Sequence, residues 1–256
     1  LNVGAKYMDA GTLYVARFDE NGNGVWLPLT LDSTTTDGST LGATFATQAD
    51  IILITAGAAD LVGATPMDRP EWTHVAPNGD VYCTLTNNSR RTEADAANPL
   101  APNADGHIIR WRDRDNHVGT GFDWDIFVFA RDTHAEGDER TFSDPDGLFI
   151  DPDGRMFIQT DGGQQKDLNN QMLVASIHDD SGSEGLMIKR LFSGVTGDEI
   201  TGVALTPDRR TLFINTQHPG NGDPTATNFP APIDGVTIPR DCTFVITRKD
   251  GGIIGS

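Results

Sequence analysis

Glu71 and Asp146 stand at the same point of an internal repeat, each six residues before a proline, Pro77 and Pro152. Thr201 holds that place before Pro207. Asp161 follows Pro152 by nine residues, and its counterparts by the same count are Thr86 and Thr216, beside Asn87 and Asn215. Carboxylates and amide oxygens meeting at one point would bind a hard cation, with Ca2+ the natural candidate. The same residues also suit plainer work, Glu71 and Asp146 as strand caps and Asp161 in a Thr-Asp-Gly turn. Arg69 directly precedes Pro70-Glu71. Its planar fork of donors fits a phosphate or carboxylate, and a salt bridge to Asp68 is the other use for it. Asn87, Asn88, Asn103, His107 and His218 could supply oxygen or imidazole ligands, or serve as turn residues.

The elements that must position these groups are short strands. Runs such as TLYVARF, VYCTLT, HIIRW, DIFVFA, MFIQT and TLFINT alternate with Asn-Gly, Asp-Gly and Pro-Asp turns. Three segments superimpose: PEWTHVAPNGDVYCTLTNN, PDGLFIDPDGRMFIQTDGG and EITGVALTPDRRTLFINTQHP. Each is a hairpin followed by further strand candidates, the pattern of β-propeller blades. The expected fold is all-β, a propeller of roughly three and a half four-stranded blades, fewer than closure requires. Residues 1–256 are then one propeller domain, part of a longer propeller or one that closes against a second copy. A single inserted helix is expected near residues 44–61, where the chain turns Ala-rich.

The 256 residues include 37 acidic and 19 basic ones, for a formal charge of −18 and a pI near 4.4. Such a charge repels nucleic acid and anionic membrane surfaces, and no apolar run of about 18 residues is present to span a bilayer. The first residues lack the basic-then-apolar layout of a signal peptide and an initiator Met, which suggests a processed or trimmed chain. Cys83 and Cys242 are too few for a disulfide framework and are expected as free thiols. A Gly-x-x-x-x-Gly-Lys-Ser/Thr loop and a Gly-x-Ser-x-Gly elbow are both missing. DPDGR and DENGNG lack the closing glutamate of an EF-hand and read as turns.

MDRPEWTHVAPNGDVYCTLTNN, NADGHIIRW, SDPDGLFIDPDGRMFIQTDG, LFINTQHPG and RDCTFVITRKDGG, in that order, resemble PhoX-type alkaline phosphatases. The resemblance implies a six-bladed β-propeller, secreted by the twin-arginine route to the periplasm or beyond, that hydrolyses phosphomonoesters with iron and calcium. It implies that Arg69 binds phosphate, that Glu71 and Asp161 are metal ligands, and that Asp146 is a further one. The family's N-terminal half, with a cysteine ligand to iron, has no counterpart here. The chain therefore resembles the C-terminal half of such an enzyme, with an incomplete Fe3+ site. A non-catalytic calcium-binding propeller module and a lactonase-type propeller hydrolase are the alternatives.

Overall fold

A computed structural model describes residues 10–130, 141–164, 168–179, 181–182, 185–232 and 234–256. They form two compact units: residues 10–67, 95–97 and 111–125 in the first, and 68–94, 98–110 and the described residues from 126 to 256 in the second. The architecture is all-β. Counted along the chain, the hairpin pairings of first with second strand, third with fourth, seventh with eighth, eighth with ninth, ninth with tenth, eleventh with twelfth and twelfth with thirteenth, and the pairing of second with sixth, are antiparallel.

In the first unit β1 (Tyr14–Phe18) and β2 (Asn23–Pro28) form a hairpin, and β2 pairs with β6 (Gly121–Phe129). Gly24 leaves room for the Phe122 ring directly above it; a Cβ there would strike that ring. Phe18, Trp26 and Trp124 surround it: Phe18 meets Phe122 and Trp124 edge-on, and Trp26 leans against Phe122. The helix expected over residues 44–61 is two short helices, α1 (Gln48–Leu53) and α2 (Thr55–Val62), preceded by a 3-10 turn at Leu41–Ala43. A reciprocal capping box between Thr47 and Asp50 starts α1. The helix breaks at Ile54, whose φ of −115° and ψ of 43° are not helical. The run Ile51-Ile52-Leu53-Ile54-Thr55 is rich in β-branched residues, which lose side-chain freedom in a helix. Leu29, Leu41, Phe45, Ile51, Ala58 and Val62 bury the inner face of this segment.

The second unit repeats one hairpin three times. β3 (Pro70–Val75) pairs with β4 (Val81–Leu85), β7 (Pro145–Ile150) with β8 (Arg155–Thr160), and β11 (Glu199–Leu205) with β12 (Thr211–Gln217). Each first strand carries a bulge near its start: between Pro70 and Thr73, Pro145 and Leu148, and Thr201 and Val203. Around these hairpins the sheets run β6-β5-β4-β3, with β5 at His107–Asp113; β10-β9-β8-β7, with β9 at Gln171–Ser176 and β10 at Lys189–Ser193; and β11-β12-β13, with β13 at Cys242–Thr247. Stacked antiparallel sheets of this kind are compatible with a propeller. Tyr82, Ile108, Phe142, Leu148, Met156 and Leu173 belong to one core cluster, and Phe157, Met172, Ile200, Leu212 and Ile214 to the next.

The turns explain one shift of register. Ala76 N–H donates to Asp80 O and Asp151 N–H to Arg155 O, but Thr206 N–H reaches one residue further, to Thr211 O. The third hairpin is one residue longer. Thr160 pairs with Pro145 and Thr216 with Ile200, so the counterpart of Asp161 is Gln217, where counting from the prolines gave Thr216.

Gly106 sits where β4 ends, at φ +82°, and a Cβ there would overlap the carbonyl oxygens of Leu85 and Thr86. Gly106→Ala is expected to cost about 2 kcal/mol or more, from left-handed strain together with a backbone clash. Denaturant titration checks this; a loss within about 0.5 kcal/mol, the range of a neutral surface change, would show that the close approach is not needed.

Candidate functional site

The register places three residues at one point of the three hairpins. Thr86 N–H donates to Arg69 O, Asp161 N–H to Asp144 O, and Glu199 pairs with Gln217. Arg69, Asp144 and Glu199 are therefore equivalent, and two residues beyond them come Glu71, Asp146 and Thr201. On the second strands Asp161 and Gln217 correspond, and His218 follows Gln217 where Asn87 follows Thr86. Arg69 and Asp144 share a left-handed backbone, φ 52° in each, immediately before a proline. A residue before proline is normally pushed to extended conformation, and a non-glycine held left-handed costs about 1–3 kcal/mol. The repeat thus spends strain at the same place twice, and both times the side chain enters the cluster.

Arg69, Glu71, Asp146 and Asp161, the four residues drawn from the sequence, come together. Burial pushes the Asp146 carboxyl up to about 7; the negative charges of Glu71, Glu199 and Asp161 add to the rise, and Arg69 opposes it. Asp144 is pushed up to about 6, first by burial and then by Asp105 and Asp161, against a hydrogen bond from Asn87 and the charge of Arg69. Glu199 is raised by burial and by Asp161, and lowered in part by His218 and Thr201. This is a group of carboxylates with few cations among them, which a bound metal ion would relieve.

Asp161, Glu199 and His218 each point one ligand atom at the others, all within 4.8 Å. His218 Nε2 lies 3.3 Å from Glu199 Oε2, and its Nδ1 lies 3.3 Å from the Gly197 carbonyl oxygen. A carbonyl only accepts, so the Nδ1 proton belongs there and Nε2 is the nitrogen that faces the carboxylates. Burial disfavours the charged ring, but the Gly197 carbonyl and Glu199 outweigh it and raise the His218 pKa. Gln217 Nε2 also donates to Glu199 Oε2 at 3.0 Å, and His218 N–H donates to Asp241 at 2.7 Å. Behind Glu199, Asp198 is buried, with Thr216 and Val195 N–H donating to its Oδ2.

The alternative partner for Arg69 is otherwise engaged. Asp68 is fully buried and accepts from Arg91 at 2.6 Å, and from Asn88 and Asn103 at 2.9 Å each. Asn103 in turn meets His107 Nδ1 at 3.1 Å. These three candidate ligands, Asn88, Asn103 and His107, thus belong to the support beneath Arg69, and the metal group does not use them. Arg69 turns the other way, with Nη1 donating to Asn87 at 3.2 Å and Nη2 3.8 Å from Glu71. Asp144 and Glu199 were not singled out in the sequence. The signal was available two residues upstream of Glu71, Asp146 and Thr201, in the pairs Arg69-Pro70, Asp144-Pro145 and Glu199-Ile200. Cys83 and Cys242 are both free thiols, and neither joins the metal group among the described residues.

An arginine fork beside clustered carboxylates on repeated antiparallel hairpins is an arrangement of donors and acceptors that suits an oxyanion and a cation together. The family model for alkaline phosphatase PhoX matches residues 4–220, and the chain belongs to that family. Among solved structures it is similar to Pseudomonas fluorescens PhoX in complex with vanadate, a transition state analogue, at 39% identity and a TM-score of 0.84. The match covers 99% of this chain and 47% of that one, so the chain spans about half the length of its relative. No curated protein sequence matches. Among the described residues no helix is long and apolar enough to cross a membrane.

The raised carboxyls fix a pH dependence. Unfolded, Asp144 and Asp146 titrate near the ordinary value of 3.8; folded, near 6 and 7. Between those values the folded state binds more protons, so stability falls as pH rises through the window. The raised His218 acts in the same direction at its own higher range. In chelator the melting temperature is expected to fall from about pH 5 to pH 8, and Ca2+ should restore it mainly at the upper end. Calorimetry across that range tests the point; an equal calcium effect at both ends, or none, would count against a cation among these carboxylates.

Proposed function

We propose that this chain is part of a metal-dependent phosphatase that hydrolyses phosphate monoesters. The observation behind the reading is the Arg69 guanidinium set beside Glu71, Asp146, Asp161, Glu199 and His218 in a chain of the PhoX family. Arg69 binds the non-bridging phosphate oxygens through its fork. Glu71, Asp146 and Asp161 hold Ca2+, whose oxygen preference they suit, with Glu199 and His218 completing the group. Bound cations supply charge neutralisation at the phosphate, which the carboxylates alone would repel. At alkaline pH Asp146 is ionised, so its ligand oxygens are available in the range where such an enzyme works. His218, with its Nδ1 proton committed to Gly197 O, presents Nε2.

The chain is read as a single domain, residues 1–256, roughly three and a half blades of a six-bladed propeller. The remaining blades, and the thiolate for Fe3+, come from a further half, which the 47% coverage of the relative supports. Periplasmic or extracellular residence follows the family. A second reading, a calcium-binding module without turnover, is favoured by that same coverage and by the absence of a cysteine from the metal group.

Hydrolysis of p-nitrophenyl phosphate at alkaline pH, with calcium and with chelator, separates the two. Calcium-dependent turnover, lowered about a hundredfold by Arg69→Ala as expected on loss of an oxyanion contact, supports the enzyme. Calcium stabilisation with no turnover supports the module, and equal rates for Arg69→Ala and the parent would remove Arg69 from the reaction.

A further inference from the structure

Asn87 lies just past the end of β4, between the cation and one of the acids of the cluster. Its Oδ1 accepts from Arg69 Nη1 at 3.2 Å, and its Nδ2 donates to Asp144 Oδ1 at 2.5 Å. A guanidinium can only donate, so the carboxamide has one orientation that serves both neighbours.

The main chain around Arg69 is already fixed. Its carbonyl accepts from Thr86 N–H at 3.1 Å, Pro70 locks the next φ, and Asp68 is clamped by Arg91, Asn88 and Asn103. Asn88 and Asn87 work side by side, the first gripping the Asp68 carboxylate and the second the Arg69 guanidinium. What stays free is the side chain of Arg69, which is about half exposed, 55%. An arginine carries about 2 kcal/mol of rotamer entropy, and Glu71 at 3.8 Å is too distant for a hydrogen bond. The short contact that aims the fork is the one to Asn87.

We infer that Asn87 is a positioning residue: its amide sets the direction of the Arg69 guanidinium and ties it to Asp144, so that the oxyanion-binding group is held ready before ligand arrives. This rests on the phosphatase reading only in naming the oxyanion; the orientation of Arg69 is a property of the protein without ligand.

The experiment therefore has two readouts on the full chain in calcium: side-chain NMR of the Arg69 guanidinium, assigned by its loss in Arg69→Lys, and titration with vanadate. The parent is expected to show resolved Nη signals from slowed rotation about Nε–Cζ. These collapse in Asn87→Leu and Asn87→Ala, neither of which offers an acceptor to the guanidinium. Vanadate binds the leucine and alanine variants about tenfold more weakly, the scale of one charge-assisted hydrogen bond, at an unchanged melting temperature. If the Nη signals of the alanine variant match the parent, or collapse only together with a lowered melting temperature, Asn87 does not position Arg69. If the signals collapse as expected but the parent binds no vanadate, the positioning holds and the phosphatase reading fails.

Discussion

Like charges held close together are the constraint on which this structure turns. Glu71, Asp144, Asp146, Asp161 and Glu199 meet at the ends of three hairpins, and the rise of the Asp144, Asp146 and Glu199 carboxyls reports that repulsion together with burial. A protein keeps such a group only if its framework can bear the penalty and a bound partner relieves it. The framework here consists of hairpins bulged near the start, apolar cores behind them, and backbone hydrogen bonds such as Thr86 N–H to Arg69 O that fix where each side chain begins. Among the described residues, the charge of Arg69 lowers Asp144 and Asp146, and that of His218 lowers Glu199.

Strain and burial are placed where they orient a side chain. Arg69 and Asp144 take a left-handed backbone before proline, a conformation their residue types do not favour. At Arg69 that strain is balanced by a fully buried carboxylate, Asp68, with a paired arginine and two asparagine amides. A buried ion pair of this quality adds little net stability, because desolvation offsets the attraction. Its contribution is direction: it fixes the peptide from which the Arg69 side chain departs.

The relation to P. fluorescens PhoX gives the cluster its chemical context. Almost all of this chain superimposes on under half of that protein, which was solved with a transition state analogue. The donors found here are oxygens and one imidazole, a set suited to a hard cation with room for a second, softer preference at His218. Thiolate ligation lies outside it: Cys83 is buried in β4 with its pKa raised by that burial.

The sequence alone determined the strand-turn-strand character, because short runs rich in β-branched and aromatic residues between Asn-Gly and Pro-Asp turns favour strands over helices. It determined that Glu71 and Asp146 share a position, since the first strands are aligned by their own prolines. It also determined the family, through blocks that a short motif could not imitate. Only the tertiary structure decided the rest. An extra residue in the Thr206–Thr211 turn moved the partner of Asp161 from Thr216 to Gln217, a shift that hydrogen bonding shows and spacing does not. The break at Ile54 appeared only in the backbone, where φ −115° and ψ 43° end the first helix within a β-branched run. Asp144, Glu199 and His218 entered the site because strands far apart in the chain end at one place, and Asn88, Asn103 and His107 left it because a buried Asp68 required their hydrogen bonds. Through-space charge and burial choose among residues that, along the chain, look alike.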